Sequence, residues 1–228
     1  MTTTRPTAAD DDVGGDATES KARILRSAQV LFARNGYDGT SLKAIAQHVG
    51  VSTPALYWHF RSKDEIYLAA LEKMLLDFVE AVRGAVHSSE PLTRFREVVS
   101  AHIRFQLERR EEAGLYAQTV GMRRLTADLP KQHRETIVAL QRSYVDELRD
   151  ILSSGRDEGT FSFTDVRATV FAVVTLCEYV HTWYNPAGPL SVDDVVRQYA
   201  DLATRMVGAC PEPSAARPRP PAQNEGER

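Results

Sequence analysis

Apolar residues recur at helical spacing along most of the chain, and no stretch alternates cleanly enough to be a strand. Between Glu19 and Asn35, the residues Ile24, Leu25, Ala28, Leu31 and Phe32 fall on one face and predict a first helix. Gly36 and Gly39 bracket a turn, after which Thr40 is placed to cap a second helix with Leu42, Ile45, Ala46 and Val49 buried. Gly50 ends that helix. Ser52 is placed to cap a very short third helix, Thr53 to about His59, and Pro54 is tolerated there because first-turn amides have no intrahelical partner. Ser62 and Glu65 have capping-box spacing and open a long helix toward Gly84. Further helices are predicted over 91–110, 114–124, 130–153, 164–184 and 191–208, with Ser191 and Asp194 capping the last and Gly155–Gly159 breaking the chain before the penultimate one. The expected fold class is all-α, with about nine helices and no internal repeat.

Composition narrows the class. With 228 residues, 43% hydrophobic and 26% charged, the chain can bury a sizeable core and is not disordered throughout. Two Cys and 13 Gly exclude a disulfide-dense or collagen-like protein. The longest nearly uncharged apolar run, Ala168 to Cys177, is too short to cross a bilayer, so no membrane association is expected. Met1 is followed by no apolar stretch for export, which predicts a cytoplasmic protein whose Cys177 and Cys210 are reduced. Residues 1–18, with Asp10–Asp12, have little to bury and are expected to be a disordered acidic arm; residues 209–228 hold five of the 11 prolines and are expected to be a disordered tail.

Charge is unevenly spread. Residues 21–63 carry seven bases against Asp38 alone, a net +6 inside a chain whose total is −3. Such a block is either a solvated face or a footprint for phosphates. Its arrangement favours the second. The short helices on either side of Val49-Gly50-Val51-Ser52 form a helix-turn-helix, in which Leu56 and Phe60 face inward. Thr53, Pro54, Ala55, Tyr57, Trp58 and His59 are left largely outward. Exposed aromatic rings there can pack on sugars and thymine methyls, with their polar tips donating to phosphates. The plainer alternative is a three-helix bundle whose Trp58 packs on the next helix.

The ordered series Ile24-Leu25, Leu31-Phe32, Gly36-Tyr37, Thr40-Ser41, Ile45-Ala46, Gly50-Val51-Ser52, Leu56-Tyr57, His59-Phe60 and Lys63 resembles the DNA-binding domain of TetR-family transcriptional regulators. The resemblance implies that Thr40, Tyr57, His59 and Lys63 contact backbone phosphates, and that Thr53, Pro54, Ala55 and Trp58 lie nearest the base edges. Trp58 departs from the smaller or polar residues often found at its position, so operator preference does not carry over. The implied organisation is a DNA-binding domain over 19–63 and a ligand-binding and dimerisation domain over 64–208, acting as a homodimer on a palindromic double-stranded operator.

Two stripes suit a dimer seam: Ala168, Phe171, Ala172, Thr175 and Tyr179 on one helix, and Val192, Val195, Val196, Tyr199, Leu202, Ala203 and Met206 on the last. For any single residue intramolecular core is the favoured alternative, but the pair of stripes together favours a four-helix dimer seam. Polar and aromatic residues on otherwise buried helices mark candidate ligand contacts, namely His102, Gln106, Tyr116, Arg123, Tyr179 and Trp183, with Gln118, Glu178 and His181 of the same character. The run Trp183-Tyr184-Asn185-Pro186-Ala187-Gly188-Pro189-Leu190-Ser191 is similar to the link before the final helix in TetR-family repressors of sterol and fatty-acid catabolism that respond to acyl-CoA thioesters. That similarity implies an acyl-CoA inducer. A repressor of efflux genes answering a drug-like ligand is the alternative.

An enzyme is the rival class. Glu178 and His181 have the Glu-x-x-His spacing of a di-metal helical bundle, but such sites use the motif twice and no second copy occurs. No His-Glu-x-x-His, P-loop, Gly-x-Ser-x-Gly or dinucleotide fingerprint is present, so no metal, cofactor or catalytic residue is expected. An architectural DNA binder without a ligand is disfavoured, because the body is larger than dimerisation alone requires.

Overall fold

The computed structural model describes residues 13–111, 115 and 131–209, the backbone alone at 13–17 and 131–134. Among the described residues it is all-helical, with nine helices: α1 (Val13–Asn35), α2 (Leu42–Val49), α3 (Thr53–His59), α4 (Lys63–Ala85), α5 (Pro91–Glu108), α6 (Lys131–Asp157), α7 (Val166–Glu178), α8 (Val180–Trp183) and α9 (Val192–Met206). No helix among the described residues is long and apolar enough to cross a membrane. The helix expected over 114–124 lies outside the described residues, apart from Leu115.

Several boundaries differ from the sequence expectation, each for a local reason. Helix α1 opens at Val13, within the stretch expected to be disordered; the acidic run beside its start favours a helix N-terminus. Thr40 is not the cap of α2. It is buried, with its hydroxyl 2.8 Å from the Gly36 carbonyl and 3.1 Å from that of Leu31, while Ser41 Oγ accepts the Ala44 amide. Helix α6 continues through Gly155, whose missing side chain leaves the space the Phe161 ring occupies, and the left-handed Gly159 follows its end. The single helix expected over 164–184 breaks at Tyr179 into α7 and α8.

Two apolar clusters organise the chain. The first gathers Ile24, Ala28, Phe32, Ile45, Leu56, Phe60, Ile66 and Leu71, joined by Leu115 and Ile137. Phe32 is fully buried and meets the Tyr67 ring edge-on at 5.0 Å. Gln29, also buried, donates to the Ala70 carbonyl at 2.9 Å and ties α1 to α4. The second cluster runs from Val79 to Val207 through Phe95, Ile103, Leu148, Phe161 and Val173. Helix α9 packs along α5 and α7, and α4 packs on α1, α5 and α6. Two helices, α4 and α6, therefore contribute to both clusters.

Candidate functional site: reading helix and central cavity

Helices α2 and α3 are joined by a turn that their sequence dictates. Gly50 sits at φ 82°, left-handed, and its amide donates to the Gln47 carbonyl at 3.2 Å while Val51 donates to that of Ala46 at 2.9 Å. This pairing closes α2 by satisfying its last carbonyls. Ser52 then opens α3, its Oγ accepting the Ala55 amide at 3.3 Å. Arg23 adds a clamp from α1, donating to the Val49 carbonyl at 3.1 Å. Leu56 and Phe60 turn inward as expected. The opposite face stands clear: Pro54, Tyr57 and Trp58 are exposed, Trp58 by 88%, with Thr53, Ala55 and His59 half-buried beside them. Trp58 does not pack on α4, which removes the three-helix-bundle explanation for it.

Lys63 sits at the foot of this helix pair, its ammonium 4.1 Å from the centre of the Tyr37 ring. The Tyr37 hydroxyl is bonded to Asp64. Burial first, and then the Asp64 carboxylate, push that phenol up to about 12, so it stays a neutral donor at any working pH. Ser62 Oγ accepts the Glu65 amide at 3.1 Å, but Glu65 answers to Arg61, one residue away from a reciprocal capping box. Thr40 faces away from this surface, since its hydroxyl is committed to carbonyls inside the protein.

The second feature is a narrow cavity between α4, α5, α6 and α7, with a volume of about 50 Å³. Met74, Leu75, Phe78, Val79, Leu140 and Val174 form its apolar walls. A polar cluster occupies one side. His102 is buried, its Nδ1 2.7 Å from the Tyr144 hydroxyl. Its Nε2 lies 3.4 Å from the Gln106 amide nitrogen and 3.5 Å from Glu178 Oε2. Phe78 meets the His102 and Tyr144 rings at 4.7 and 4.8 Å. Oε1 of Gln106 and Oε1 of Glu178 are buried without a hydrogen-bond partner.

Of the ligand contacts expected from sequence, His102 and Gln106 meet in this cavity. Tyr116 and Arg123 lie outside the described residues, as do Gln118 and Cys210. Tyr179 and Trp183 do not join the cavity; both are half exposed on the outer surface, where Trp183 stacks on Tyr199 and donates to its hydroxyl at 2.8 Å. Both lie on the outward face that also carries Ala172 and Thr175, whereas Val173, Cys177, Val180 and Tyr184 hold the inward face, with Glu178 buried beside Cys177. Tyr144 and Phe78 are the contacts that sequence reasoning missed. Tyr144 lies among Ile137, Leu148, Ile151 and Leu152 at helical spacing, a pattern that reads as plain core.

Glu178 and His181 do not act together as ligands, since His181 Nδ1 faces the Glu178 backbone carbonyl at 2.9 Å while the Glu178 carboxylate faces His102. Among the described residues no group of three or more potential metal ligands occurs. Cys177 is a free thiol sealed in the core, and burial pushes it well above its ordinary range.

The stripe Ala168, Phe171, Ala172, Thr175 and Tyr179 is exposed along its whole length, Phe171 by 63%. Helix α9 divides: Val195, Val196 and Ala203 belong to the chain's own core, whereas Leu202 and Met206 are exposed beside α7.

A helix-turn-helix with an outward aromatic face, carried on a larger helical body, defines a DNA-reading regulator. The chain belongs to the TetR family: residues 24–70 match the bacterial regulatory proteins of the tetR family, and residues 88–207 match the tetracyclin repressor-like C-terminal domain. It is accordingly a DNA-binding transcriptional regulator of a family that is not enzymatic. It is 27% identical over 199 residues to the HTH-type transcriptional repressor KstR2 of Mycobacterium tuberculosis, covering 83% of this chain and 93% of that protein. The TetR-family regulator PfmR of Thermus thermophilus superposes with a TM-score of 0.69 at 31% identity, covering 82% and 98% of the two chains. AibR, solved in complex with isovaleryl coenzyme A and operator DNA, shares the fold at a TM-score of 0.69 and 22% identity, covering 80% and 97%.

Proposed function

We propose that the protein is a cytoplasmic, dimeric repressor that a small molecule releases from a palindromic operator. The observation carrying this reading is the course of α4. Its first half, through Ile66 and Leu71, is built into the core of the reading head, and further along Met74, Leu75, Phe78 and Val79 form a wall of the cavity. A ligand that parts the cavity walls therefore acts on the helix that holds the reading head. Release follows when the ligand binds the DNA-incompetent spacing of two heads more tightly than the competent one, and a hundredfold loss of operator affinity needs a differential of about 2.7 kcal/mol.

In this reading the head spans about residues 19–63 and the sensor body 64–208, flanked by the segments 1–18 and 209–228. Tyr57, His59 and Lys63 reach phosphates, while Thr53, Pro54, Ala55 and Trp58 face base edges, one helix per major groove. The stripe on α7, with Leu202 and Met206, supplies the two-fold seam. The inducer is an acyl-CoA thioester whose acyl part enters the cavity. Support comes from the apolar walls, from the 183–191 link and from AibR, which was solved with isovaleryl coenzyme A.

The test is release of the protein from selected genomic operator fragments, assayed across acyl-CoAs of different chain and ring size, free fatty acids, bile acids and drugs. Release by thioesters alone is expected. Release by a cationic drug alone would replace the thioester with the efflux-control alternative and leave the repressor standing.

A further inference from the structure

The cavity's polar side holds two open acceptors. Gln106 and Glu178 are only 4% and 7% exposed, both line the cavity, and Oε1 of each has no partner. One ring nitrogen of His102 is engaged with Tyr144, and the other stands between the Gln106 amide nitrogen at 3.4 Å and Glu178 Oε2 at 3.5 Å. That single nitrogen cannot serve every atom around it. The Glu178 carboxylate is an acceptor at both oxygens when ionised, so it presents an open acceptor whichever way the Gln106 amide is turned. Glu178 is the last residue of α7 and is buried beside Cys177.

A buried acceptor without a donor is destabilising, and a ligand that brings the donor removes that cost on binding. A carbonyl, ether or carboxylate in the same place adds a further acceptor and is repelled. We infer that the cavity selects its ligand by a hydrogen-bond donor, a hydroxyl or an ammonium, carried at the buried end of an apolar skeleton. The inference rests on the proposed inducer reading for its biological meaning. Within the thioester class it means an acyl part bearing a hydroxyl, with the anionic head left outside the cavity. A free fatty acid entering carboxylate-first is refused.

The test uses the purified full-length protein without DNA and four probes on one ring: cyclohexanol, cyclohexylammonium, methylcyclohexane and cyclohexanecarboxylate. Their affinities are measured by ligand-observed NMR and calorimetry. The two donors are expected to bind at least about tenfold more tightly than methylcyclohexane, with the carboxylate weakest. Glu178→Gln separates the two donor sources: it retains an acceptor for cyclohexanol and drops cyclohexylammonium to the level of methylcyclohexane. Glu178→Met is expected to shrink the advantage of cyclohexanol over methylcyclohexane to what Gln106 alone supplies and to leave both charged probes weaker than methylcyclohexane. Equal binding of cyclohexanol and methylcyclohexane by the wild-type protein overturns the inference without recourse to any variant. So does preference for the carboxylate, or binding of no probe because buried water alone fills the site. Because binding is read without DNA, donor selection in a protein that no ligand releases from its operator overturns the repressor reading only. Release by thioesters without donor selection overturns this inference only.

Discussion

In the reading head, Ser41, Ser52 and Ser62 each open a helix by accepting an amide three residues further on, and Gly50 closes α2 through its own backbone. The body is held differently. Arg96 reaches from α5 to Thr204 at 3.1 Å and Asp201 at 2.8 Å on α9, and Arg94 and Arg83 converge on Glu147 of α6. The head's exposed large hydrophobics, Tyr57 and Trp58, sit on one reading face. The body leaves an apolar stripe open on α7 and two acceptors open inside. A head shaped before it meets DNA, joined to a body that its occupants complete, lets differential binding in one place be felt in the other.

The sharpest way to break this comparison is to charge the stripe. Phe171 is 63% exposed, so Phe171→Arg should change the stability of a single chain by no more than about 0.5 kcal/mol. If the stripe is the dimer seam, the same change places a charge at a desolvated centre opposite its own copy. Sedimentation equilibrium should then show monomers at micromolar concentration, and operator affinity should fall about 100-fold as half-sites bind singly. A dimer with normal operator affinity would mean that the seam lies elsewhere.

Two glycines separate the regions by mechanism. An alanine methyl at Gly155 would overlap the Phe161 ring, which is buried against Phe95 at 5.6 Å, so Gly155→Ala should cost the body about 1–3 kcal/mol through overpacking. At Gly50 the same methyl meets nothing within 4 Å, and only the left-handed backbone resists it. Gly50→Ala should cost about 1–2 kcal/mol. Denaturant unfolding measures both, and Gly155→Ala with Phe161→Leu should recover part of the first loss but has no counterpart for the second.

Why the head was legible in sequence and the body only in part follows from the range of the contacts. Helix α3, the Gly50 turn, the inward Leu56 and Phe60 and the outward Trp58 all depend on residues within a few positions of each other. Thr40 went astray because two neighbouring hydroxyls, Thr40 and Ser41, compete for one cap, and only the position of α1 decides which turns inward. In the body, His102 and Gln106 could be marked as polar residues on an apolar face, but their partners Tyr144 and Glu178 come from other helices. Tyr179 and Trp183 stand outside the cavity because they continue the outward face of Ala172 and Thr175, while Val180 and Tyr184 continue the inward one. Gly155 looked like a stop signal, and only Phe161 explains why it sits inside a helix.

The reading face itself should separate register from recognition. Lys63→Ala removes one phosphate partner and the stack on Tyr37, and should weaken binding to every sequence alike while lowering the salt slope by about 0.9. Trp58→Ala should instead reorder affinities among operator variants, with stability unchanged within about 0.5 kcal/mol because the ring is 88% exposed. Salt titrations on a panel of operator variants measure both. If Lys63→Ala changed preference at one base position only, its place at the phosphate would be wrong.

The smallest effect comes from the chemistry of the caps. The head opens its helices on serine hydroxyls, which do not titrate, with the Glu65 carboxylate adding one bond to Arg61. The body opens α9 on the Ser191 hydroxyl as well, but adds carboxylates. Glu90 is held below the usual range by Thr93 first, Glu97 by the Ser88 amide and then that of His87, and Asp194 by Ser191. A carboxyl depressed in the folded state contributes stability above its ordinary value and loses it as pH falls through that value toward the depressed one. Acid should therefore loosen the start of α5 and the residues before it while α2 and α3 keep their caps. Glu90 is exposed and screened, so its share is below about 1 kcal/mol. Amide exchange followed from pH 5 to pH 3 should show protection at Leu92 and Thr93 falling before that at Ala44 and Ala55, once corrected for intrinsic rates. Glu90→Gln should remove the pH dependence at Leu92 and Thr93 and leave Ala44 and Ala55 untouched. If all four amides open at one pH, the two regions unfold as a single unit, and their separation is a matter of architecture rather than of energy.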